Sequence, residues 1–306
     1  MKISAPGIYT DFPNDAYFAD PCPEPSFTQS LVKVLLDGSP LHARQEHPRL
    51  SPPDLEDEEA EKYVKAQAIG NAAHKMILGR GKEVEIIAAN DFRSKDAQTR
   101  RDAAIATGKV PILEKHLTRA LAMKDAAKLQ LAAHEARDAF TGGNAEVMIA
   151  WQEDGIWFRS LIDWLSEDLL RVDDFKTSAL SMADHVIGLR AESAGWAIQA
   201  AFIERGLDVL DPTNAGRRKF RFIAQENYKP FALNVMVMDE YWLTMGRKKI
   251  AFAIDRWKVA MQANRWMGYG KRALTPEYSG FKETQWLKRE IEAGESEHDP
   301  KLIMAG

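Results

Sequence analysis

Cysteine is almost absent from this chain of 306 residues, which contains only Cys22. A single thiol cannot form an internal disulfide, and it cannot supply the several thiolates of a zinc finger or an iron–sulfur cluster. Long apolar runs are also missing, since no stretch approaches the roughly 20 residues needed to span a bilayer. The opening residues MKISAPGIYTDFP contain no apolar signal segment. These absences favour a cytoplasmic protein with no membrane partner and no disulfide framework.

The chain also lacks an excess of positive charge. It contains 41 Lys and Arg and 45 Asp and Glu, which gives a formal net charge of −4. Without a general basic surface, any contact with nucleic-acid phosphates must be local. The segment GRRKFRF offers such a cluster, and its alternation predicts a half-buried strand with a basic exposed face. A solvated strand edge is the alternative interpretation. The residues expected to contact nucleic acid are Arg217, Arg218, Lys219 and Arg221.

Two carboxylates and an amine stand close together in the middle of the chain. Asp163 lies in WFRSLIDWL, and VDDFKTS follows with Asp174 and Lys176. Residues i and i+2 of a strand share a face, so Asp174 and Lys176 are expected to point the same way, with Phe175 on the opposite, buried side. Such carboxylates suit a hard cation, and a lysine beside them can hold developing negative charge. The alternative is a strand end with solvated acids and a flanking lysine.

Turn and periodicity signals predict a β-hairpin just before this motif. Apolar residues alternate at positions 147, 149 and 151, and Asp154-Gly155 is a two-residue turn signal. Glu146 opens the first strand of the predicted hairpin. His74 lies elsewhere, in a helical stretch that is rich in Ala, Ile, Met and Leu.

The coarse pattern predicts a single domain with four segments. Residues 1–25 form an arm, residues 26–140 are mainly helical and carry His74, residues 141–265 form the core, and residues 271–306 are a loosely ordered tail. Helices are predicted near 27–36, 55–79 and 111–140, with a polar connection over 90–109. In the core, strands are predicted near 146–152, 156–165, 169–177, 217–228 and 231–238, with helices near 181–205 and 239–264.

This order of residues resembles the PD-(D/E)XK nucleases, and most closely their RecB/RecE-type exonucleases of the exodeoxyribonuclease VIII kind. The resemblance covers about residues 26–265, and no single motif in it is specific. The family's Tyr four residues after its Gln is Ile203 here, so the DNA contact made by that Tyr has no evident equivalent. The matching set is GNAAH ending at His74, Glu146 opening a strand, Asp163, the DFKT motif at Asp174 to Thr177, and Gln199 on the next helix.

The resemblance implies an α/β fold, with a central mixed sheet flanked by helices and an N-terminal helical extension. It implies metal-dependent phosphodiester hydrolysis, in which Lys176 orients the attacking water and Gln199 fixes Lys176 or the scissile phosphate. Glu146 would bind a second metal ion or a water. The expected ligands of Mg²⁺, or of Mn²⁺ since imidazole is among them, are His74, Asp163, Asp174 and the backbone carbonyl of Phe175.

The implied activity is 5′-to-3′ digestion of linear double-stranded DNA in phage-type recombination. Such enzymes form rings, so a homo-oligomer and a single-strand annealing partner protein are expected. A non-catalytic DNA-binding or phage accessory protein with the same fold remains open, as does an endonuclease of the same superfamily. A sugar- or nucleotide-processing metalloenzyme is disfavoured by the basic strand and by the lack of a glycine-rich phosphate loop.

Overall fold

The computed structural model describes residues 1–51, 70–81 and 83–297. The chain divides into two compact units, one formed by Met1–Gly268 and the other beginning at Tyr269. The first unit contains every residue singled out above. Among the described residues, none of the helices combines the length and the apolar character that crossing a membrane requires.

The N-terminal half mixes short helices with a small parallel sheet. Its elements are β1 (Gly7–Tyr9), α1 (Asn14–Phe18), α2 (Gln29–Asp37), α3 (Pro40–Glu46), α4 (described over 70–78), β2 (Val84–Ile87), α5 (Lys95–Ala106), β3 (Val110–Leu113) and α6 (Glu114–Ala132). The predicted helix near 55–79 is confirmed over 70–78, and its earlier part lies outside the described residues.

Two predictions in this half are wrong. Residues 90–109 are not simply a polar connection, because α5 begins there after an N-cap, where the Ser94 side chain accepts a hydrogen bond from the Ala97 amide. The predicted helix over 111–140 is replaced by β3 and the shorter α6. β2 and β3 pair in parallel through the α5 crossover. Four-residue strands on either side of a weakly apolar helix leave little periodic signal.

Within the described ranges, six strands form the main sheet in the order β1–β4–β5–β6–β7–β8. The bounds of the remaining elements are β4 (Gly143–Glu153), β5 (Ile156–Ser166), β6 (Arg171–Ser178), α7 (Asp184–Ala194), α8 (Trp196–Leu210), β7 (Lys219–Glu226), β8 (Leu233–Val237) and α9 (Glu240–Ala263). Only the β6–β7 pairing in this sheet is parallel, since α7 and α8 carry the chain over between these strands. The predicted class, a central mixed sheet flanked by helices, is confirmed.

The predicted hairpin is the β4–β5 pair. Asp154 and Gly155 both have positive φ, 48° and 76°, as the favoured two-residue hairpin turn requires. β4 begins at Gly143, three residues before the predicted start near 146. A Cβ on Gly143 would lie 2.3 Å from the Leu165 carbonyl oxygen, so the two strands approach this closely only with glycine at that position.

Large aromatic side chains form the core between the sheet and α8. The Trp151 and Phe158 rings stack with centroids 5.2 Å apart, and Phe202 of α8 packs edge-on against Trp151 at 5.1 Å. The predicted helix over 181–205 is two helices, because Gly195 adopts φ +75° and ends α7 before α8 begins. α8 begins directly after this break, and Gln199 is its fourth residue.

The N-terminal arm is held against the sheet by a buried ion pair. Asp20 is fully buried, and it accepts hydrogen bonds from the Ser26 amide at 3.0 Å and the Ser26 hydroxyl at 2.8 Å. Arg159 of β5 lies 3.2 Å from the same carboxylate. Burial alone would raise the pKa of Asp20, but the hydrogen bond from His47 and the charge of Arg159 outweigh it and hold that pKa well below its usual range. Arg159 is therefore a structural residue.

The second unit contains the helix α10 (Gly280–Glu297). The sequence predicted a loosely ordered tail over 271–306, which is wrong for these residues. Leu, Glu, Lys and Arg, which are strong helix formers, make up much of the segment KETQWLKREIEA.

Close packing of α8 against α9 generates a first prediction. A Cβ at Gly246 of α9 would lie 2.2 Å from the Ala197 carbonyl oxygen of α8. We expect Gly246→Ala to lower the free energy of unfolding by about 1–3 kcal/mol, because the two backbones must separate. The matched control is Gly188→Ala in α7, where nothing lies within 4 Å of the new Cβ. This substitution should raise the free energy of unfolding by about 0.5–1 kcal/mol. Urea unfolding of both variants measures this, and equal effects would contradict it.

Candidate active site

Glu146 and Asp163 lie across from one another on β4 and β5. Glu146 has φ +53°, a left-handed conformation that is uncommon for residues other than glycine and is often found at functional positions. The registered pairs on either side of these two acids are Ala145–Trp164 and Val147–Ile162.

Asp163 and Asp174 stand at the fork where β5 and β6 separate. The two strands pair at Trp164–Asp173 and Leu165–Val172, so the two acids occupy the next position of the same register. The ladder does not continue there, because the Phe175 amide donates to Asp163 Oδ2 at 3.0 Å. One carboxylate thus takes the place of a strand carbonyl. Glu146, Asp163 and Asp174 form a row across three neighbouring strands, which we call the acidic row.

His74 reaches the acidic row from α4. Its Nε2 lies 3.1 Å from Asp163 Oδ2, and its Nδ1 lies 4.0 Å from Glu146 Oε1. Burial would lower the pKa of His74, but the charges of Asp163 and Glu146 outweigh it and raise that pKa, which favours the imidazolium. The structure therefore brings His74 close to Asp163 and Glu146.

Gly70 explains how α4 comes so close to β6. A Cβ on Gly70 would lie 3.0 Å from Thr177 Oγ1, so a larger side chain would push the helix away from the strand. Gly70 and His74 are four residues apart and lie on the same side of a helix. The glycine of the GNAAH motif therefore lets the helix pack on the DFKT strand, and the histidine then points at the acids.

Asp174 is 1% exposed and has two polar neighbours. Lys176 Nζ lies 2.6 Å from its Oδ1, and the Gln199 side-chain amide donates to its Oδ2. Burial and the negative charge of Asp163 raise the pKa of Asp174 to about 7, although Lys176 acts in the opposite direction. Gln199 thus orients Asp174, whereas the sequence predicted that it would fix Lys176 or the scissile phosphate. In spite of its own burial, Lys176 has a raised pKa because Asp174 and Asp163 favour its charged form.

A metal ion is compatible with the chemistry of these groups, although no ligand set is preformed. In the part of the chain that the structure describes, no three His, Cys, Asp or Glu side chains are arranged as the ligands of one ion. Asp174 Oδ1 is buried and lacks a well-directed hydrogen bond, even with Lys176 Nζ nearby. Two repelling carboxylates, one of them with an unsatisfied oxygen, are donors that suit a hard cation. The predicted ligand set of His74, Asp163, Asp174 and the Phe175 carbonyl stays a prediction.

The basic exposed face predicted for β7 is wrong. β7 pairs with β6 on one side and β8 on the other, and Arg221 is buried. The Arg221 guanidinium donates to both oxygens of Asp173, at 2.6 and 2.9 Å, and to Asp138 at 2.8 Å. These bonds occupy Arg221 inside the protein and leave it unavailable to DNA.

Arg218 is also occupied in an internal network rather than facing a ligand. Its side chain is 3% exposed, and it pairs with Asp208 and with Asp211, the latter at 2.8 Å. Arg217 and Lys219 are exposed. Lys219 is in register with Arg171, three residues or about 10 Å along β6 from Asp174. With Arg218 and Arg221 held in internal ion pairs, the predicted DNA track is not assembled as a set of four cations.

Sequence reasoning missed Asn14, which belongs to the site. Its side-chain amide donates to Glu146 Oε2 at 3.1 Å, from a position 132 residues earlier in the chain. No local pattern marks this residue, because the contact depends on the arm lying along β4, where β1 pairs with it.

Comparisons with known proteins agree with this description at the level of the fold. The sequence matches no protein-family model, and no curated protein matches it. A crystal structure of a candidate exonuclease from Eubacterium rectale superposes with a TM-score of 0.52, covering 85% of this chain and 93% of the other at 10% identity. The two chains share a fold, and the mixed sheet flanked by helices is consistent with a nuclease-like fold.

The role assigned to Arg221 gives a second prediction. Arg221→Ala should lower the free energy of unfolding by about 3–5 kcal/mol, because it leaves the buried carboxylate of Asp173 without its main partner. Lys219→Ala, two residues away and exposed, should change it by no more than about 0.5 kcal/mol. Urea unfolding at neutral pH measures both. A stable Arg221→Ala variant that had lost only DNA affinity would restore the exposed-strand interpretation.

Proposed function

We propose that this protein is a metal-dependent deoxyribonuclease, and specifically an exonuclease acting on linear double-stranded DNA. The observation that carries the proposal is the acidic row at the strand fork, with Lys176 beside Asp174 and His74 beside Asp163. Its support is the donor chemistry of these residues, the ordered motifs of the resemblance, and the fold shared with a candidate exonuclease. Fold alone would not carry it, because one fold hosts many functions.

Four groups would hold the metal ion. Mg²⁺ or Mn²⁺, when bound, would lower the pKa of a water and polarise a phosphoryl oxygen. A positive charge held by these groups would relieve the repulsion between Asp163 and Asp174. The ligands we propose are His74, Asp163, Asp174 and the Phe175 backbone carbonyl, with Glu146 beside them for a second ion or a water.

Lys176 supplies the fixed positive charge of the site. Asp174 and Asp163 raise its pKa and so favour the charged ammonium, which lies 5.7 Å from the centroid of the Phe222 ring. A positioned cation stabilises charge that develops on a phosphoryl oxygen and can orient the attacking water. Gln199 acts indirectly, because its hydrogen bond to Asp174 Oδ2 positions the carboxylate that contacts Lys176.

The remaining features of the proposal come from the resemblance. They are 5′-to-3′ polarity, a role in phage-type recombination, a homo-oligomeric ring, a single-strand annealing partner and a cytoplasmic location. A non-catalytic DNA-binding protein and an endonuclease are the alternatives that the first experiment separates.

The proposal is tested by digesting end-labelled linear duplex DNA and covalently closed circular DNA with Mg²⁺, with Mn²⁺, with Ca²⁺ and with EDTA. We expect loss of linear DNA in Mg²⁺ or Mn²⁺, intact circles, and no product in EDTA. Cleavage of the circles would assign an endonuclease instead. Binding without cleavage under every metal condition would assign a non-catalytic protein.

A third prediction concerns Lys176. Lys176→Ala should lower the cleavage rate at saturating DNA by about 10²- to 10³-fold, because it removes a charge that acts on the transition state. Lys249→Ala removes a partly exposed lysine of α9 that is paired with Glu192 at 3.5 Å; it is the control and should cleave normally. Single-turnover rates on linear duplex measure the difference. Near-normal cleavage by Lys176→Ala would remove Lys176 from the mechanism.

A fourth prediction separates metal ligands from Lys176. Mn²⁺ at about 100 times its dissociation constant should stabilise the wild-type protein by about 2.7 kcal/mol, because it binds only the folded state. Asp163→Asn and Asp174→Asn should lose this stabilisation, whereas Lys176→Ala should keep it. Thermal unfolding with Mn²⁺ and with EDTA gives the readout without any activity assay. An unchanged Mn²⁺ shift in both aspartate variants would place the ion elsewhere.

A further inference from the structure

A cleft of about 480 Å³ opens beside the acidic row. Its walls are residues 12–15 of the arm, the end of α4 with the turn after it, and the turn that precedes β3. Glu146 forms part of the lining, so the cleft is continuous with the candidate active site. Three basic side chains also line it, Lys75, Arg80 and Lys109. We call it the Glu146 cleft.

The basic side of the cleft begins directly next to the acids. Lys75 follows His74 on α4, and the Gly81 backbone lies between Lys75 and Glu146. A Cβ on Gly81 would be 3.3 Å from Lys75 Cβ and 3.5 Å from Glu146 Oε1. A chain of phosphates leaving the acidic row on the Glu146 side would therefore meet Lys75 first.

The cations of the cleft have partners that they can exchange. Lys75 Nζ lies 2.6 Å from Glu83 Oε1, and the Glu83 side chain is 77% exposed. Arg80 pairs with Asp11 at 3.0 Å, and the Asp11 side chain is 88% exposed; Arg80 Nη1 also donates to the Thr10 carbonyl at 2.7 Å. Lys109 pairs with Glu85 at 3.2 Å. Ion pairs at exposed positions contribute only about 0–1 kcal/mol, so an incoming phosphate can replace these carboxylates.

Two glycines of the cleft lining, Gly79 and Gly108, leave the backbone there without side-chain cover. Gly79 has φ +74° with nothing within 4 Å of its Cβ position, and Gly108 has φ +73° with only the Asp15 carboxylate nearby, at 3.6 Å. Both conformations are unfavourable for residues with a side chain. The positions therefore stay open, and a bulky sugar–phosphate chain can approach the protein backbone there.

We propose that the Glu146 cleft binds the phosphate backbone of a nucleic-acid strand through Lys75, Arg80 and Lys109. The strand leads away from the acidic row on the side of Glu146. This inference rests on the proposed function, and it supplies the phosphate contacts that Arg218 and Arg221 do not make. Carboxylates on the same walls balance the cations until phosphates replace them, which agrees with the net charge of −4.

The test is the salt dependence of binding to a short labelled DNA duplex and to a single strand of the same sequence, measured by anisotropy in EDTA. Each lost phosphate contact reduces the slope of log K against log salt concentration by about 0.7–0.9. The triple variant should therefore lose about two units of slope and bind roughly tenfold to a hundredfold more weakly at moderate salt. Its substitutions are Lys75→Gln, Arg80→Gln and Lys109→Gln.

A matched control removes three cations of the same kind elsewhere. Each of them is paired with an exposed or partly exposed carboxylate, as in the cleft. This variant should keep the wild-type slope and affinity. Its substitutions are Arg93→Gln, Lys249→Gln and Lys258→Gln.

A gain of affinity tests the same idea without relying on a loss. Glu83→Gln combined with Glu85→Gln removes the carboxylates that compete with phosphate for Lys75 and Lys109. This double variant should bind DNA severalfold more tightly than the wild type, an effect that misfolding cannot produce.

The outcomes separate the cleft from the proposed function when linear-DNA cleavage is assayed in parallel. Suppose that the wild type cleaves linear DNA. An unchanged salt slope in the cleft triple variant, or equal losses of slope in both triple variants, would then overturn the cleft proposal. The proposed nuclease activity would be unaffected. Absence of tighter binding by the glutamate double variant would also overturn it. The wild type could also bind DNA without cleaving it, while the cleft triple variant binds more weakly. That result would support the cleft proposal and overturn the proposed nuclease activity.

Discussion

A buried carboxylate that is left incompletely neutralised is the feature on which the rest of this site depends. Asp173 and Asp174 are neighbours on β6, are both buried, and face opposite sides of the sheet. Asp173 accepts hydrogen bonds from Arg221 and from Arg171, at 2.6 to 3.2 Å, so its burial is compensated within the fold. Asp174 instead lies near Asp163, and its Oδ1 lacks a well-directed hydrogen bond. Lys176 and Gln199 contact Asp174, yet the repulsion from Asp163 remains, and a bound cation would relieve it.

The sheet creates this situation through a change in strand pairing. β5 and β6 share only two registered pairs before they separate, while β6 continues alongside the parallel β7 for its full length. At the point of separation the Phe175 amide has no backbone partner on β5, and it donates its hydrogen bond to the Asp163 carboxylate instead. The same carboxylate thus closes the strand fork and faces the acid on the next strand. α7 ends at Gly195, and Gln199 of the following α8 donates to Asp174 at the fork. Local backbone features place the side chains before any ligand is considered.

The sequence predicted those parts of the structure that local patterns specify. The Asp154-Gly155 turn has a strict conformational requirement, and the i, i+2 spacing of Asp174 and Lys176 follows from the geometry of a strand. The alternation around Arg221 led to a wrong prediction of an exposed cation. Alternation does not distinguish an exposed cation from one that neutralises a buried acid 48 residues away. The presence of two adjacent acids in VDDF was a usable hint, since at most one of them could point at Lys176. Asn14 gave no signal, since its contact with Glu146 comes from the arm packing on β4.

Burial also decides which cations of an acidic protein can change partners. Arg159, Arg218 and Arg221 are held by carboxylates inside the protein, where removing a partner would leave an uncompensated charge. Lys75 and Arg80 are paired with carboxylates that remain largely in water, so exchanging one anion for another costs little. The number of basic residues in a segment therefore says little about phosphate binding. GRRKFRF is the denser cluster, yet two of its four cations are committed to the fold, whereas the sparse cations around Gly79 and Gly81 stay exchangeable and lie beside the acids.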